Sequence, residues 1–426
     1  MAELNVDQRY QFDKWLSKQA TDAVDTDRLR DRVLESLSIA KSMTSREYTL
    51  WRTWMQVNEE FDPSDQQAKR RIQKVKHNIY RPTGPQDIET IEPELVFVQK
   101  QFPVPRVSIW GSERIAFLSN PDPLAGDWEI MRHFVSNMEH GGNLGRSVRF
   151  LVRDKPTKKY LGIICIAGDF GQLKGRDDAI GWMKTPTKNG LPDRLNNTAI
   201  GSVLVPTQPF GFSLLGGKLM ALLATSRPVA DMWQRLYGDV LAGVTTTSLH
   251  GSSTGGTQYN GLGKYWKSLG ESPGETALRP DRVVLEALKA WMKYHHPEKY
   301  WELYEAKREN GQPLKRSANE RARVFCYQKL GIDTSEFRSG HNRGIYFSRL
   351  YQNTDAFLRG EIDAADLKPK FDNSPEALTA YWRQKSRSRV QKLAEQGRFS
   401  QDTYFTDELV GMSWDDAKQR YLGHAR

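Results

Sequence analysis

The stretch from Leu204 to Gly274 limits the folds open to this chain more than any other. Ser202 to Val205 is a short apolar run closed by Pro206, which has no N–H to extend a ladder, so it reads as the end of a strand. Gly211, Gly216 and Gly217 then leave the backbone uncrowded, and Lys218 opens the apolar helical run Leu219 to Ala224. Free N–H groups at such a helix start favour phosphate or another anion. Val244 to Leu249, rich in β-branched residues, reads as a second strand ending at His250 and Gly251. Tyr265, Trp266 and Leu269 are expected on one side of a helix that Gly270 terminates. Strand, glycine loop, helix, strand and helix in that order belong to an α/β core.

Composition narrows the classes further. A chain of 426 residues has room for two or three domains, and 38% hydrophobic content with 12 Trp supports filled cores rather than global disorder. No apolar run approaches the length of a membrane span and no signal peptide opens the chain, so a soluble, cytoplasmic protein is expected. The two cysteines, Cys165 and Cys326, sit in apolar surroundings and read as buried thiols. The eight His form no HExxH or Cys/His ladder, so no metal is expected. The net charge of +10 favours a polyanionic partner, nucleic acid first; a generally basic soluble protein is the plainer alternative.

Along the chain, residues 1–80 read as an N-terminal helical domain, with Thr44 or Ser45 capping its second helix. Its third helix carries Lys69, Arg70, Arg71, Lys74 and Lys76, five basic residues within eight. These suit a phosphate backbone or a solvated helix face equally. Residues 81–104, with three prolines between 81 and 94, read as a linker. Residues 105–275 alternate strands and helices, with SVRFLVRD and KYLGIICIAG as a hairpin joined by a polar turn that places Cys165 in the sheet. Residues 276–426 read as a basic helical region. There RSGHNRGIYFSRLYQNTDAFLRGE, with Arg343, mixes arginine, aromatics and amides. Arg383 to Arg398 holds six basic residues, among them Lys385, Arg387 and Arg389, against one acidic residue. Nucleic-acid contact is the expectation for this segment, a solvated terminal helix its alternative.

The order of parts around Gln208 resembles the GNAT acyltransferase superfamily, in which a strand feeds a pyrophosphate-binding glycine loop. QPFGFSLLGG matches that loop through Gln208 to Gly211, with Ser213 at the next small position. Several motifs in sequence, RSVRFLVRD, YLGIICIAG, RDDAIGW, LNNTAIG, LLGGKLMALL, WQRLYGD, TTTSLHG and YNGLGKYWKSLGESPG, resemble the DruA family of the Druantia antiphage system over residues 140–275. At TTTSLHG, His250 stands where an acidic residue commonly follows in that family. A more remote resemblance is to Mom-like DNA-modifying proteins of phages. Together these imply a GNAT-like mixed sheet with N-terminal and C-terminal helical extensions. They also imply an acyl-CoA-like donor on Gln208, Gly211, Ser213, Gly216, Gly217 and Lys218, and DNA as partner.

The candidate chemistry follows from these expectations. Asp177, within RDDAIGW, is either a general base or the carboxylate of an Arg–Asp pair that fixes a loop. Asn196 and Asn197 either meet substrate or cap a turn. His250 is either a base at the mouth of the sheet or a hydrogen-bonded loop residue. In the GNAT resemblance a tyrosine beyond the second strand protonates the leaving thiolate, so Tyr259 and Tyr265 are candidates; Tyr265, beside Trp266, also reads as core. Ser248 and His250 lack a G-x-S-x-G elbow, and GGKL lacks a Walker A pattern, which argues against hydrolase and ATPase chemistry. Arg70, Arg71, Lys74, Arg343, Arg383, Lys385, Arg387 and Arg389 are the candidate DNA contacts. The expected function is a DNA-directed phage or mobile-element protein, either a base-modifying acyltransferase or a non-catalytic DNA-binding protein; engagement of a host protein is a third class.

Overall fold

The computed structural model describes residues 25–98, 124–136, 146–182, 191–248, 256–272, 275–306, 318–340, 343–402 and 404–422, with short paired segments within 101–119 and at 187–188. In chain order the helices include α1 (Thr26–Ser42), α2 (Ser45–Glu60), α3 (Gln66–His77), α4 (Asp87–Thr90), α5 (Leu124–Phe134), α6 (Lys174–Ile180), α7 (Gly216–Leu223), α8 (Arg227–Tyr237), α9 (Arg282–His295), α10 (Ala318–Lys329) and α11 (Pro375–Glu395). The main-sheet strands are β1 (Pro93–Phe97), β2 (Ser147–Asp154), β3 (Tyr160–Gly168), β4 (Thr198–Pro206), β5 (Gly243–Ser248), β6 (Lys267–Ser272) and β7 (Arg343–Arg349). The chain divides into two units, one of residues 1–51 with 274–341 and the other of 52–273 with 342–426.

The larger unit holds a seven-stranded sheet in the order β1-β2-β3-β4-β5-β7-β6. It is mixed: β4 and β5 run parallel and every other neighbouring pair is antiparallel. A parallel pair needs a crossover, and the glycine loop, α7 and α8 supply it. The hairpin β2–β3 forms as its alternation suggests, with Arg149 opposite Cys165. β3 is buried from Tyr160 through Ala167, which explains its unbroken apolar run at the middle of the sheet. The core continues into α7, where Leu219 to Leu223 are all buried, and into Trp233 of α8 and Trp382 of α11.

Three segments differ from the sequence expectation. The stretch expected as a helix ending at Gly270 is a series of turns through Tyr265 followed by strand β6. Gly261 and Gly263 make a helix costly there, by about 1 kcal/mol each relative to alanine, and Gly261 sits at φ +79. Gly270 has φ +89 at the bulge between Ser268 and Glu271, where β6 pairs with β7. Within the region expected to be helical, Ile345, Tyr346 and Phe347 form a buried run and insert as β7 between β5 and β6. The stretch expected as a linker supplies β1, with Pro93 at the first position of an edge strand, where a missing N–H is tolerated.

In the smaller unit α1, α9 and α10 bury apolar faces that include Leu29, Val33, Leu288, Met292 and Cys326. Asp281 caps α9 by accepting from the Val284 amide, and its other oxygen accepts from Ser36 at 2.8 Å. Residues Glu275–Ala277 and Arg338–Gly340 pair as a short antiparallel ribbon.

Candidate functional site

β4 and β5 pair only over Thr198–Ile200 and Gly243–Thr245 and then part, β4 continuing against β3 and β5 against β7. The chain's own side chains bridge the two strands beyond that point. Thr246 Oγ1 donates to the Gly201 carbonyl at 3.2 Å, and Gln258 Nε2 donates to the Leu204 carbonyl at 3.2 Å. Both also reach the Tyr259 hydroxyl, at 3.3 Å and 3.0 Å. The Tyr259 ring stacks on Tyr346 with centroids 4.7 Å apart, and Thr257 donates to the Tyr346 hydroxyl. Burial, above all, raises the Tyr259 pKa. Tyr265 packs edge-on against Phe371 and Tyr381 at 4.5 and 4.8 Å, and burial raises its pKa too. Both tyrosines therefore sit within aromatic packing. Asn197, for its part, donates to the Val240 carbonyl, where it ties a turn.

Asp177 belongs to a buried ionic cluster. Its Oδ1 accepts from Arg176 Nε at 2.8 Å and its Oδ2 accepts from the Leu173 amide at 2.8 Å, closing the first turn of α6. Arg176 is fully buried between Asp177 and Asp169, over the Trp182 ring. Its Nη1 lies 2.8 Å from Asp169 but off the N–H direction, so that contact is an ion pair without a formed hydrogen bond. Thr245 of β5 donates to the second Asp169 oxygen at 2.7 Å. The cluster carries one excess negative charge, which the Thr245 hydroxyl and the Leu173 amide offset. Sequence reasoning did not single out Asp169 or Thr245. They stand 76 positions apart and only the sheet joins them.

The glycine loop folds on itself. The amides of Gly211, Ser213 and Leu214 donate to the carbonyls of Thr207, Pro209 and Phe210, and the Phe212 amide donates to Gln208 Oε1. Ser213 is buried and exchanges hydrogen bonds with the Ser400 backbone. At Gly216 a Cβ would stand 2.2 Å from the Phe210 ring, so the glycine there admits an aromatic side chain. At Gly217 a Cβ would meet Gln258. A pyrophosphate needs open amides, and those from Gly211 to Leu214 are used internally, so this part of the loop does not fit one. Lys218, on the first turn of α7, donates to the Asn260 carbonyl, and burial, then Lys385, lowers its pKa.

The candidate cations fall into separate groups. On α3, Lys69, Arg70, Arg71 and Lys74 are exposed, while Ile72 and Val75 are buried. Lys74 reaches Asp127 only at 3.9 Å, and Lys76 is paired with Asp407 at 2.8 Å. On α11, Arg383 donates to the carbonyls of Ile88 and Ile91, and Arg387 makes a two-pronged pair with Glu89. Lys385 and Arg389 are exposed and form no ion pair among the described residues. Arg343 opens β7, where burial lowers its pKa. His250 lies outside the described residues. Among the described residues no group of His, Cys, Asp or Glu could hold a metal ion, and no helix is long and apolar enough to cross a membrane.

Fold and site together define an α/β protein built on a mixed seven-stranded sheet, with cation-bearing helices α3 and α11 attached to it. Residues 129–360 match the family described as Druantia protein DruA, more than half of the chain, and the chain belongs to that family. A curated Druantia protein DruA from Escherichia coli (strain UMEA 4076-1) is 29% identical over 245 residues. That alignment covers 52% of this chain and 56% of the relative, so the chain spans about half the length of the curated protein it matches. No solved structure matches.

Proposed function

We propose that this protein binds DNA in phage–host conflict and that its α/β core is the platform for the basic helices rather than a transferase site. The observation that carries the reading is on α3: Arg70, Arg71 and Lys74 stand exposed within five residues, and among the described residues no carboxylate lies closer to them than the 3.9 Å contact of Lys74 with Asp127. In a chain with a net charge of +10, such a row attracts a phosphate backbone and gives sequence-independent, salt-sensitive binding. The platform is supported over the transferase by three placements already described: the loop amides bonded internally, the tyrosines within aromatic packing, and Asp177 held by Arg176. Antiphage defence rests on membership of the DruA family.

A second reading, a base-modifying acyltransferase with GNAT-like and Mom-like kinship, is favoured by one feature. The parallel strands β4 and β5 part after Ile200 and Thr245, with the glycine loop and α7 between them in the chain. Titrating a labelled duplex and a labelled single strand across a salt series, with and without acetyl-CoA, separates the readings. The expected result is binding that weakens steeply with salt and ignores acetyl-CoA. A change on adding acetyl-CoA would favour the transferase. Absence of binding at low salt would refute both and leave a protein partner.

A further inference from the structure

Three lysines converge where α7 begins. Lys218 Nζ uses one of its three donors on the Asn260 carbonyl, in the turn that also carries Lys264. Lys264 Nζ lies 6.0 Å from the centre of the Tyr381 ring, and Lys385 Nζ lies 5.6 Å from the same ring. Trp382 fixes this arrangement, because its Nε1 donates to the carbonyl of Leu215, the residue that precedes α7. Lys385 is three residues further along α11. Among the described residues, none of the three lysines is paired with a carboxylate. Lys218 and Lys385 repel each other enough to lower the Lys218 pKa, after the larger effect of its burial.

Helical phase extends the cluster. Residues two apart on a helix point nearly opposite ways, and residues three or four apart share a side. Arg383 and Arg387 therefore take one flank of α11, the one bonded to Ile88, Glu89 and Ile91. Lys385, Arg389 and Lys392 take the other, all exposed, on the side of the lysine cluster. At about 1.5 Å per residue the span from Lys385 to Lys392 is about 10 Å, the rise of about three phosphates at 3.4 Å each along one strand. Cations gathered without counter-charge oppose folding unless an anion joins them.

We propose that Lys218, Lys264 and Lys385, continued by Arg389 and Lys392, form a track that holds consecutive phosphates of a DNA strand. This rests on the DNA-binding reading above and adds a second surface to that of α3. The contacts are to phosphates and leave the base edges unread, so binding through the track is independent of sequence.

The test is the salt dependence of duplex binding by anisotropy for the wild type, for the combined variant Lys264→Ala, Lys385→Ala, Arg389→Ala, and for the charge-preserving variant Lys264→Arg, Lys385→Arg. Each lost phosphate contact makes the negative slope of log K against log salt shallower by about 0.9, so the alanine variant is expected to be shallower than the wild type by about 2.7. The arginine variant keeps the wild-type slope, and thermal melting of all three stays alike. A wild-type slope in the alanine variant overturns the track and leaves DNA binding to α3. Failure of the wild type to bind at low salt overturns the DNA reading and the track together. Inorganic pyrophosphate supplies the last arm. If it raises the wild-type melting temperature but not that of the alanine variant, while both bind DNA equally, the cluster serves a free phosphate compound and the track is overturned.

Discussion

Replacing Asp177 by asparagine separates a structural carboxylate from a catalytic one. Asp177 is 5% exposed, accepts from Arg176 Nε at 2.8 Å and from the Leu173 amide, and lies in ion-pair contact with Arg176 Nη2 at 2.7 Å. Asparagine keeps one carbonyl oxygen but removes the charge, and its amide group, a donor, meets either the guanidinium or the Leu173 N–H. Removing one partner of a buried ion pair costs about 3–5 kcal/mol. Because Asp169 still faces Arg176, the lower end applies, about 3 kcal/mol. In a unit of this size each kcal/mol moves Tm by roughly 2 °C, so a fall of about 6 °C is expected. Asp178, exposed beside it, is the control, and Asp178→Asn should shift stability by no more than about 0.5 kcal/mol. The assay is thermal and urea unfolding, with DNA binding measured well below the transition, where Asp177→Asn should bind like the wild type. A variant that melts within a degree of the wild type yet has lost a base-modifying activity would refute the reasoning and return Asp177 to the role of a general base.

Other consequences are open to direct measurement. The Trp382 side chain is fully buried and ties α11 to Leu215, so Trp382→Ala should cost about 3–5 kcal/mol in urea unfolding. Trp382→Phe should recover most of that loss, since it forfeits chiefly one hydrogen bond of about 1 kcal/mol; an alanine variant as stable as the wild type would contradict the anchoring. Both thiols are buried, the Cys326 pKa pushed up to about 12 and that of Cys165 raised as well, each by burial. A thiol reagent at mildly alkaline pH should therefore label neither cysteine in the native protein and both in denaturant, and prompt native labelling would count against these cores. Hydrogen bonds from Arg153 hold the Glu94 carboxyl below its ordinary 4.5, with Lys158 adding to the effect. A depressed folded-state pKa contributes stability present above the unfolded value and lost as pH falls through the folded one. The urea midpoint of the wild type should thus drop below about pH 4.3, and less so in Glu94→Gln; equal acid sensitivity in the two would show that the pair does not matter.

What could be read from the sequence was what local pattern controls. The hairpin β2–β3, the strand at Val244 and the apolar helical run after Lys218 each carry their own periodicity and turn residues, and each lies within about two residues of its expected bounds, the helix starting at Gly216 and the strand at Gly243. Two pieces were hidden because only tertiary pairing makes them strands. Lys267–Ser272 is half exposed and glycine-bearing, and it is extended because β7 offers an edge. Arg343–Arg349 is distant in sequence from both strands it lies between. The candidate site was legible only in part for the same reason. Arg176 and Asp177 are neighbours and advertise a pair, whereas Asp169 and Thr245 complete it from β3's end and from β5. The glycines of the loop were visible, but not the Phe210 ring and Gln258 side chain for which Gly216 and Gly217 leave space.

Charge density shows the same limit more sharply. From Arg383 to Arg389 a basic residue occurs at every second position, and in sequence the four are equivalent. A helix turns about 100° per residue, so the first and third face one way and the second and fourth nearly the other. Folding then gives the two pairs different partners. Arg383 closes the carbonyls of Ile88 and Ile91 and Arg387 meets Glu89, so these two cations have protein partners before any ligand arrives. Lys385 and Arg389 pair with no carboxylate or backbone carbonyl among the described residues, and Lys218 and Lys264, more than a hundred residues earlier, add to the charge on their side. Whether a cation contributes to an interface is therefore decided by helical phase and by what the core has already placed beside it. Arg387 and Arg389, two residues apart, should make unequal contributions to the salt dependence of DNA binding for that reason.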